Sequence, residues 1–139
     1  MTPKDALVAG TVAGCLSGLP STVWALLTRA DPLEATLAAG SILLPRETRR
    51  GRLLISAVIA HAGLSLGWAQ VIDRLPRGRP IAVGALAGLA IAALDLGVVG
   101  RRFPRVRALP IGPQVADHVA YGVVVALVLR SQSRKALPQ

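Results

Sequence analysis

Four apolar runs, each close to the length of a bilayer crossing, govern what this chain can fold into: about Ala6 to Thr28, Leu53 to Ile72, Ile81 to Gly100, and Gln114 to Leu129. A helix needs about 20 apolar residues to cross a hydrocarbon core of roughly 30 Å. Within that core only structures that satisfy their own backbone hydrogen bonds survive, so each run reads as a transmembrane α-helix. The fold expected is an all-α integral membrane bundle of four such helices, with residues 1–139 as a single domain. The composition agrees, because 53% of the residues are hydrophobic and 17% charged, which excludes both a disordered chain and an ordinary soluble domain.

Between the first two runs lies a shorter helix at about 32–44. Asp31 stands as its N-cap, Pro32 at the first helical position and Glu34 three residues after the cap. Its apolar stretch, Leu33 to Leu44, falls short of a comfortable span. An interfacial or re-entrant helix is expected there, with a fifth short crossing as the alternative. Val12-Ala13-Gly14-Cys15 has the form of a lipoprotein signal box, but the apolar run continues past Cys15 to Leu27, so Cys15 reads as a packing residue in a retained helix.

The formal net charge of +9 would point to nucleic acid in a soluble chain. Here nearly all of the 16 Lys and Arg residues fall in loops between apolar runs, and one Phe and one Tyr offer no stacking platform, so no nucleic-acid partner is expected. The charge belongs at lipid head groups. The densest clusters, Arg46 to Arg52 and Arg101 to Arg107, share one face under four crossings, and the positive-inside rule places that basic face in the cytoplasm. The preponderance of Arg over Lys among Ala, Gly, Leu and Val is the mark of a GC-rich bacterial genome, and so of a multi-pass inner-membrane protein.

Lipid tails are as apolar as leucine, so helices in a bilayer associate by close packing and interhelical hydrogen bonds. Three stripes of small residues serve that purpose: Gly10, Gly14 and Gly18; Gly63 and Gly67; Gly84, Gly88 and Ala92. They are expected to hold the bundle together or to face another subunit. Val8 to Gly14 is similar to Val83 to Gly88, which reads either as a two-plus-two repeat or as coincidence in an Ala- and Gly-rich chain.

Ionisable groups inside a membrane are costly and usually face the bundle interior or a wet cavity. His61, Asp95, Asp117 and His118 are the candidates for acid–base chemistry. At a rise of ~1.5 Å per residue, His61 lies roughly 13 Å, Asp95 roughly 8 Å and Asp117 and His118 roughly 6 Å from the basic face. Ser21, Thr22, Ser65 and Tyr121 fall at neighbouring levels and are expected to line a polar pocket with them. Arg101 and Arg102 at its mouth are placed to grip a phosphate or carboxylate, in concert with Arg105, Arg107, Arg49, Arg50 and Arg52.

Each of these residues also has a purely structural use. His61 and Ser65 can bridge helices, Asp117 can cap the fourth helix, and juxtamembrane arginines ordinarily anchor helices in lipid. Asp95 is the hardest to account for in that way, because a carboxyl inside the apolar layer needs a partner such as His61, His118 or Arg101, or must stay protonated. Trp24 and Trp68 read as packing or interfacial anchors.

No metal site is expected: the two histidines are far apart, and neither H-x-x-x-H nor C-x-x-C occurs. Nor is there a Walker loop, a dinucleotide fingerprint or a G-x-S-x-G elbow, so the established soluble-enzyme chemistries are unsupported and the sequence names no particular cofactor. Three functions follow. One is binding or acid–base processing of an amphiphilic or anionic small molecule, such as an anionic lipid. Another is a non-enzymatic subunit or assembly factor of a larger membrane complex. The third is a proton-coupled transporter acting as a homo-oligomer.

The run Asp117-His118-Val119-Ala120-Tyr121-Gly122, with a Gly-rich first helix ending in Pro20-Ser21-Thr22, resembles small uncharacterised bacterial multi-spanning inner-membrane proteins. The resemblance touches about a third of the chain. It implies the membrane class and brings no activity with it.

Overall fold

A computed structural model describes residues 3–76 and 78–135, and every element among them is helical. In chain order these are α1 (Pro3–Leu16), α2 (Leu19–Leu27), α3 (Glu34–Leu43), α4 (Arg50–Ile72), α5 (Pro80–Leu94), α6 (Pro104–Arg107) and α7 (Ile111–Lys135). A π-helical turn, Asp95–Val99, and a 3-10 turn, Gly100–Arg102, continue α5. Four helical stretches are long and apolar enough to cross a membrane: Lys4–Leu27, Arg50–Ile72, Pro80–Arg102 and Ile111–Arg134.

The first crossing is not one continuous helix. Pro20 has no N–H to give the carbonyl four residues back, and the chain turns at Ser17-Gly18 before α2 begins. Pro20 then occupies the first turn of α2, where a missing N–H costs nothing. At its far end α2 closes in a Schellman arrangement: Ala30 N–H donates to the Ala25 carbonyl at 2.8 Å and Arg29 N–H to the Leu26 carbonyl at 3.3 Å. The left-handed position usually given to glycine is held by Arg29, at φ 57°. That conformation costs an arginine about 1 kcal/mol or more, which its charge at a helix C-terminus partly offsets.

Ahead of α3 the Asp31 carboxylate accepts the Leu33 N–H at 2.9 Å, but Leu33 and not Asp31 is the N-cap, so the aspartate steadies the turn before the helix and does not cap it. Regular helix begins at Glu34 rather than Pro32, because the chain first makes a turn in which Glu34 N–H donates to the Asp31 carbonyl at 3.1 Å. With 10 residues α3 is too short to cross a bilayer, and it fits the interfacial role. Leu37, Ala38, Gly40 and Ser41 bury its inner face, and α3 packs against α4. Gly40 lies so close that a Cβ there would overlap the Leu53 carbonyl, and Ser56 Oγ donates to the Gly40 carbonyl at 2.9 Å.

The centre of the bundle is the pair α1 and α7. Helix α4 packs on α1, α5 packs on α7, and α2 leans on α7. The buried cluster joins Ala9 and Ala13 of α1, Ala69 and Ile72 of α4, Ile91 of α5, and Tyr121, Val125 and Leu129 of α7. So many alanines let backbones approach, as helix association in lipid requires. Large apolar side chains point outward instead, Leu27 at 78% exposure, Val58 at 68% and Ile111 at 71% among them. A soluble chain could not sustain so much exposed apolar surface; the acyl chains of a bilayer cover it.

Two of the glycine stripes pack largely as their spacing predicts. A Cβ at Gly10 would stand 2.9 Å from the Ser65 carbonyl oxygen, and one at Gly14 would stand 3.0 Å from Ser65 Oγ, so these two residues seat α1 on α4. Gly84 and Gly88 seat α5 on α7 against Gly122 and the His118 carbonyl. The remaining stripe residues differ. Gly18, in the turn after α1, faces open space, and so do Gly63 and Gly67, because α4 turns its other side to α1.

Candidate functional site

Helix α7 collects the polar side chains, and each of its first turns meets a different neighbour. At the top, Asp117 Oδ1 accepts the backbone N–H of Ser21 at 2.9 Å. Ser21 lies in the first turn of α2, where N–H groups lack intrahelical partners, so a carboxylate from another helix does the work of an N-cap. The broken first crossing thereby explains a half-buried aspartate. Asp117 also stands within electrostatic reach of His118 and His61.

One residue on, His118 is held from both sides. Its Nδ1 lies 2.7 Å from the Gln114 carbonyl oxygen, which can only accept, so Nδ1 carries a hydrogen. Its Nε2 lies 3.4 Å from Asp95 Oδ2. With Nδ1 already protonated, a hydrogen bond between Nε2 and the carboxyl requires one more proton, either on the imidazole or on the acid. The two side chains are 21% and 26% exposed, sheltered yet reachable. Asp95 opens the π-helical turn, in which Gly100 N–H donates back to the Asp95 carbonyl, five residues away. Such turns are frequent at functional sites, and this one sets the local geometry around the acid.

Lower on α7, the Tyr121 hydroxyl donates to the Ser65 carbonyl of α4. His61 Nε2 lies 2.8 Å from the Gly14 carbonyl oxygen, so Nε2–H donates to one of the last carbonyls of α1, a group left over at a helix end.

The structure thus brings Asp95 to His118, Asp117 to Ser21, Tyr121 to Ser65, and His61 to α1. Ser21 contributes its backbone N–H to Asp117, while its hydroxyl lies 3.3 Å from the Gly18 carbonyl. Thr22 Oγ1 donates at 2.7 Å to Gly18 within its own helix and takes no part in the network.

At the arginine-rich end the ion pairs decide which cations are available. Arg50 binds Asp31 at 2.8 Å, Arg52 binds Glu47 at 3.1 Å, and Arg105 Nε binds Glu34 at 2.9 Å, which ties α6 to α3 and puts both basic loops on one side. The Leu33 N–H, then Arg50, hold the Asp31 carboxyl below the ordinary carboxylate range, and the Arg49 N–H does the same for Glu47. Arg101, Arg102 and Arg107 form no ion pair among the described residues.

Two of these unpaired arginines, Arg101 and Arg107, line an open groove of about 220 Å³. Leu96, Val106, Leu109 and Ile111 give it apolar walls, and Gln114, whose carbonyl His118 holds, lines it as well. Arg102 is exposed and lies outside it. Sequence reasoning misses Gln114, although its position four residues before His118 puts both on one helix face.

Comparison of the chain with protein-family models, curated proteins and solved structures finds no match.

Proposed function

We propose that this polytopic membrane protein binds an amphiphile through its anionic head group at the arginine-rich end, with the Asp95–His118 pair directly beneath. The observation that carries this reading is the groove. It offers two guanidinium groups without carboxylate partners and apolar walls for the start of a chain. At about 220 Å³ it is smaller than the roughly 300–1,000 Å³ that enclose a drug-sized molecule, so it suits a head group whose tail lies outside, along the lipid-facing helices. Guanidinium forks match phosphate and carboxylate oxygens, which favours those head groups over zwitterionic or neutral ones. The setting proposed is a bacterial inner membrane with the basic face in the cytoplasm, in keeping with the resemblance to small inner-membrane proteins.

Asp95, Asp117, His61 and His118 are the groups proposed to move protons if the bound molecule is also processed. A second reading, as a subunit or assembly factor, draws on one observation: Gly63 and Gly67 leave a flat, unfilled strip on α4.

Purification in a mild detergent, followed by mass spectrometry of what remains bound, tests the proposal. An anionic amphiphile is expected at near-stoichiometric level, reduced about tenfold or more in the Arg101→Gln/Arg107→Gln double variant, since each charge-assisted hydrogen bond removed is worth about 1.5–3 kcal/mol. Retention unchanged in that variant would refute the groove assignment. Recovery of partner polypeptides with no amphiphile would favour the subunit reading.

A further inference from the structure

We infer that the groove and the Asp95–His118 pair act as one proton-coupled anion site, in which a phosphate-bearing head group binds together with one proton taken up by the pair. This rests on the reading above and adds to it a coupling that the groove alone does not require.

The donor and acceptor pattern supplies the first half of the argument. His118 Nδ1–H is committed to the Gln114 carbonyl, and Nε2 faces a carboxyl oxygen. Without the extra proton the pair is a neutral imidazole beside a carboxylate, with net charge −1 and two acceptors facing each other. With the proton the pair has no net charge and a hydrogen bond joins it.

The second half is proximity. Leu96, the residue after Asp95, lines the groove, and so does Gln114, one turn (~5.4 Å) before His118 on α7. The charged and titratable groups around His118 are Asp95 from the end of α5 and Asp117 on α7 itself, with His61 of α4 facing Asp117; α2 presents only Ser21. Arg101 and Arg107 stand at the groove. A deprotonated pair therefore opposes an incoming anion, whereas protonation removes that opposition. By reciprocity the anion in the groove favours the protonated pair to the same extent.

The test uses the full-length protein in nanodiscs of phosphatidylcholine, titrated with dihexanoyl phosphatidylglycerol, a phosphodiester whose single charge is fixed between about pH 5.5 and 8, where a histidine is the group expected to change charge. Affinity is expected to be about fivefold or more higher at the acid end, the lower limit of an ordinary coupling. Calorimetry in two buffers of different ionisation enthalpy should show proton uptake on binding. Asp95→Asn and His118→Gln should each abolish the proton uptake and flatten the pH dependence, Asp95→Asn at or near the stronger, acid level because the pair is then neutral at every pH, and His118→Gln at or below the weaker, alkaline level because the carboxylate stays charged.

Binding with the same pH profile in the wild type and both variants would overturn the coupling and leave the groove standing. Absence of binding at every pH would overturn both. Inorganic sulfate serves as the aqueous arm. Weaker binding than the lipid supports a membrane source for the anion, and equal affinity with equal proton uptake supports the coupling with the anion drawn from water.

Discussion

Gly88→Leu is expected to force α5 away from α7 and to cost about 3 kcal/mol, the upper range for overpacking a tight contact. The reason is geometric. A Cβ at Gly88 would overlap the His118 carbonyl, and one at Gly84 would stand 2.5 Å from the Gly122 carbonyl oxygen. In each case the obstacle is backbone, which cannot rotate aside as a flexible side chain can. Gly63→Leu and Gly67→Leu are the controls, because nothing stands within contact range of a Cβ at either position. Each is expected to change stability by no more than about 0.5 kcal/mol. Reversible unfolding in mixed micelles reads all three, and a Gly63→Leu variant less stable than Gly88→Leu would mean that α5 and α7 do not cross here.

The second large effect is expected at Asp117. Asp117→Ala removes the acceptor of the Ser21 N–H and leaves that part-buried donor without its partner, a loss of about 2 kcal/mol. Asp117→Asn keeps an amide oxygen in the same place and should lose less than about 1 kcal/mol. The difference separates two roles for the side chain. If both variants are equally damaged, the charge of Asp117 rather than its acceptor oxygen holds α2 in place, and the capping account fails.

Much of the architecture is legible in the sequence, because a bilayer imposes a length on every crossing and the apolar runs meet it. The pairing of polar groups is less so, for a physical reason. Periodicity tells which residues share a helix face, not which neighbour that face meets. Gly63 and Gly67 have the same spacing as Gly84 and Gly88, yet only the latter pair lies against another helix. Gly122, their counterpart on α7, stands within the run 117–122 with no stripe around it to mark it.

The break at Ser17-Gly18 follows from Pro20, and once the break is recognised the free N–H of Ser21 follows too. It is through this backbone donor that Ser21 meets Asp117. The π-helical turn at Asp95 leaves no sequence signature beyond the nearby Gly97 and Gly100. Among the basic residues, acidic neighbours distant in sequence decide availability: Glu34 removes Arg105 from the candidates across 71 positions, a pairing that charge spacing along the chain does not reveal.

Helix α7 brings His118 to Asp95 in a sheltered pair, and the proposed function depends on that contact. The chain has two histidines, so ¹⁵N-labelled histidine gives two ring systems to assign. Solid-state NMR in lipid bilayers, recoupling ring ¹⁵N to ¹³C-labelled aspartate carboxyl carbons, tests the contact most directly. The expected result is a cross-peak between His118 Nε2 and the Asp95 carboxyl carbon, with Nδ1 protonated throughout and the cross-peak missing from Asp95→Asn. A His118 ring protonated only at Nε2, with no aspartate carbon nearby, would contradict it.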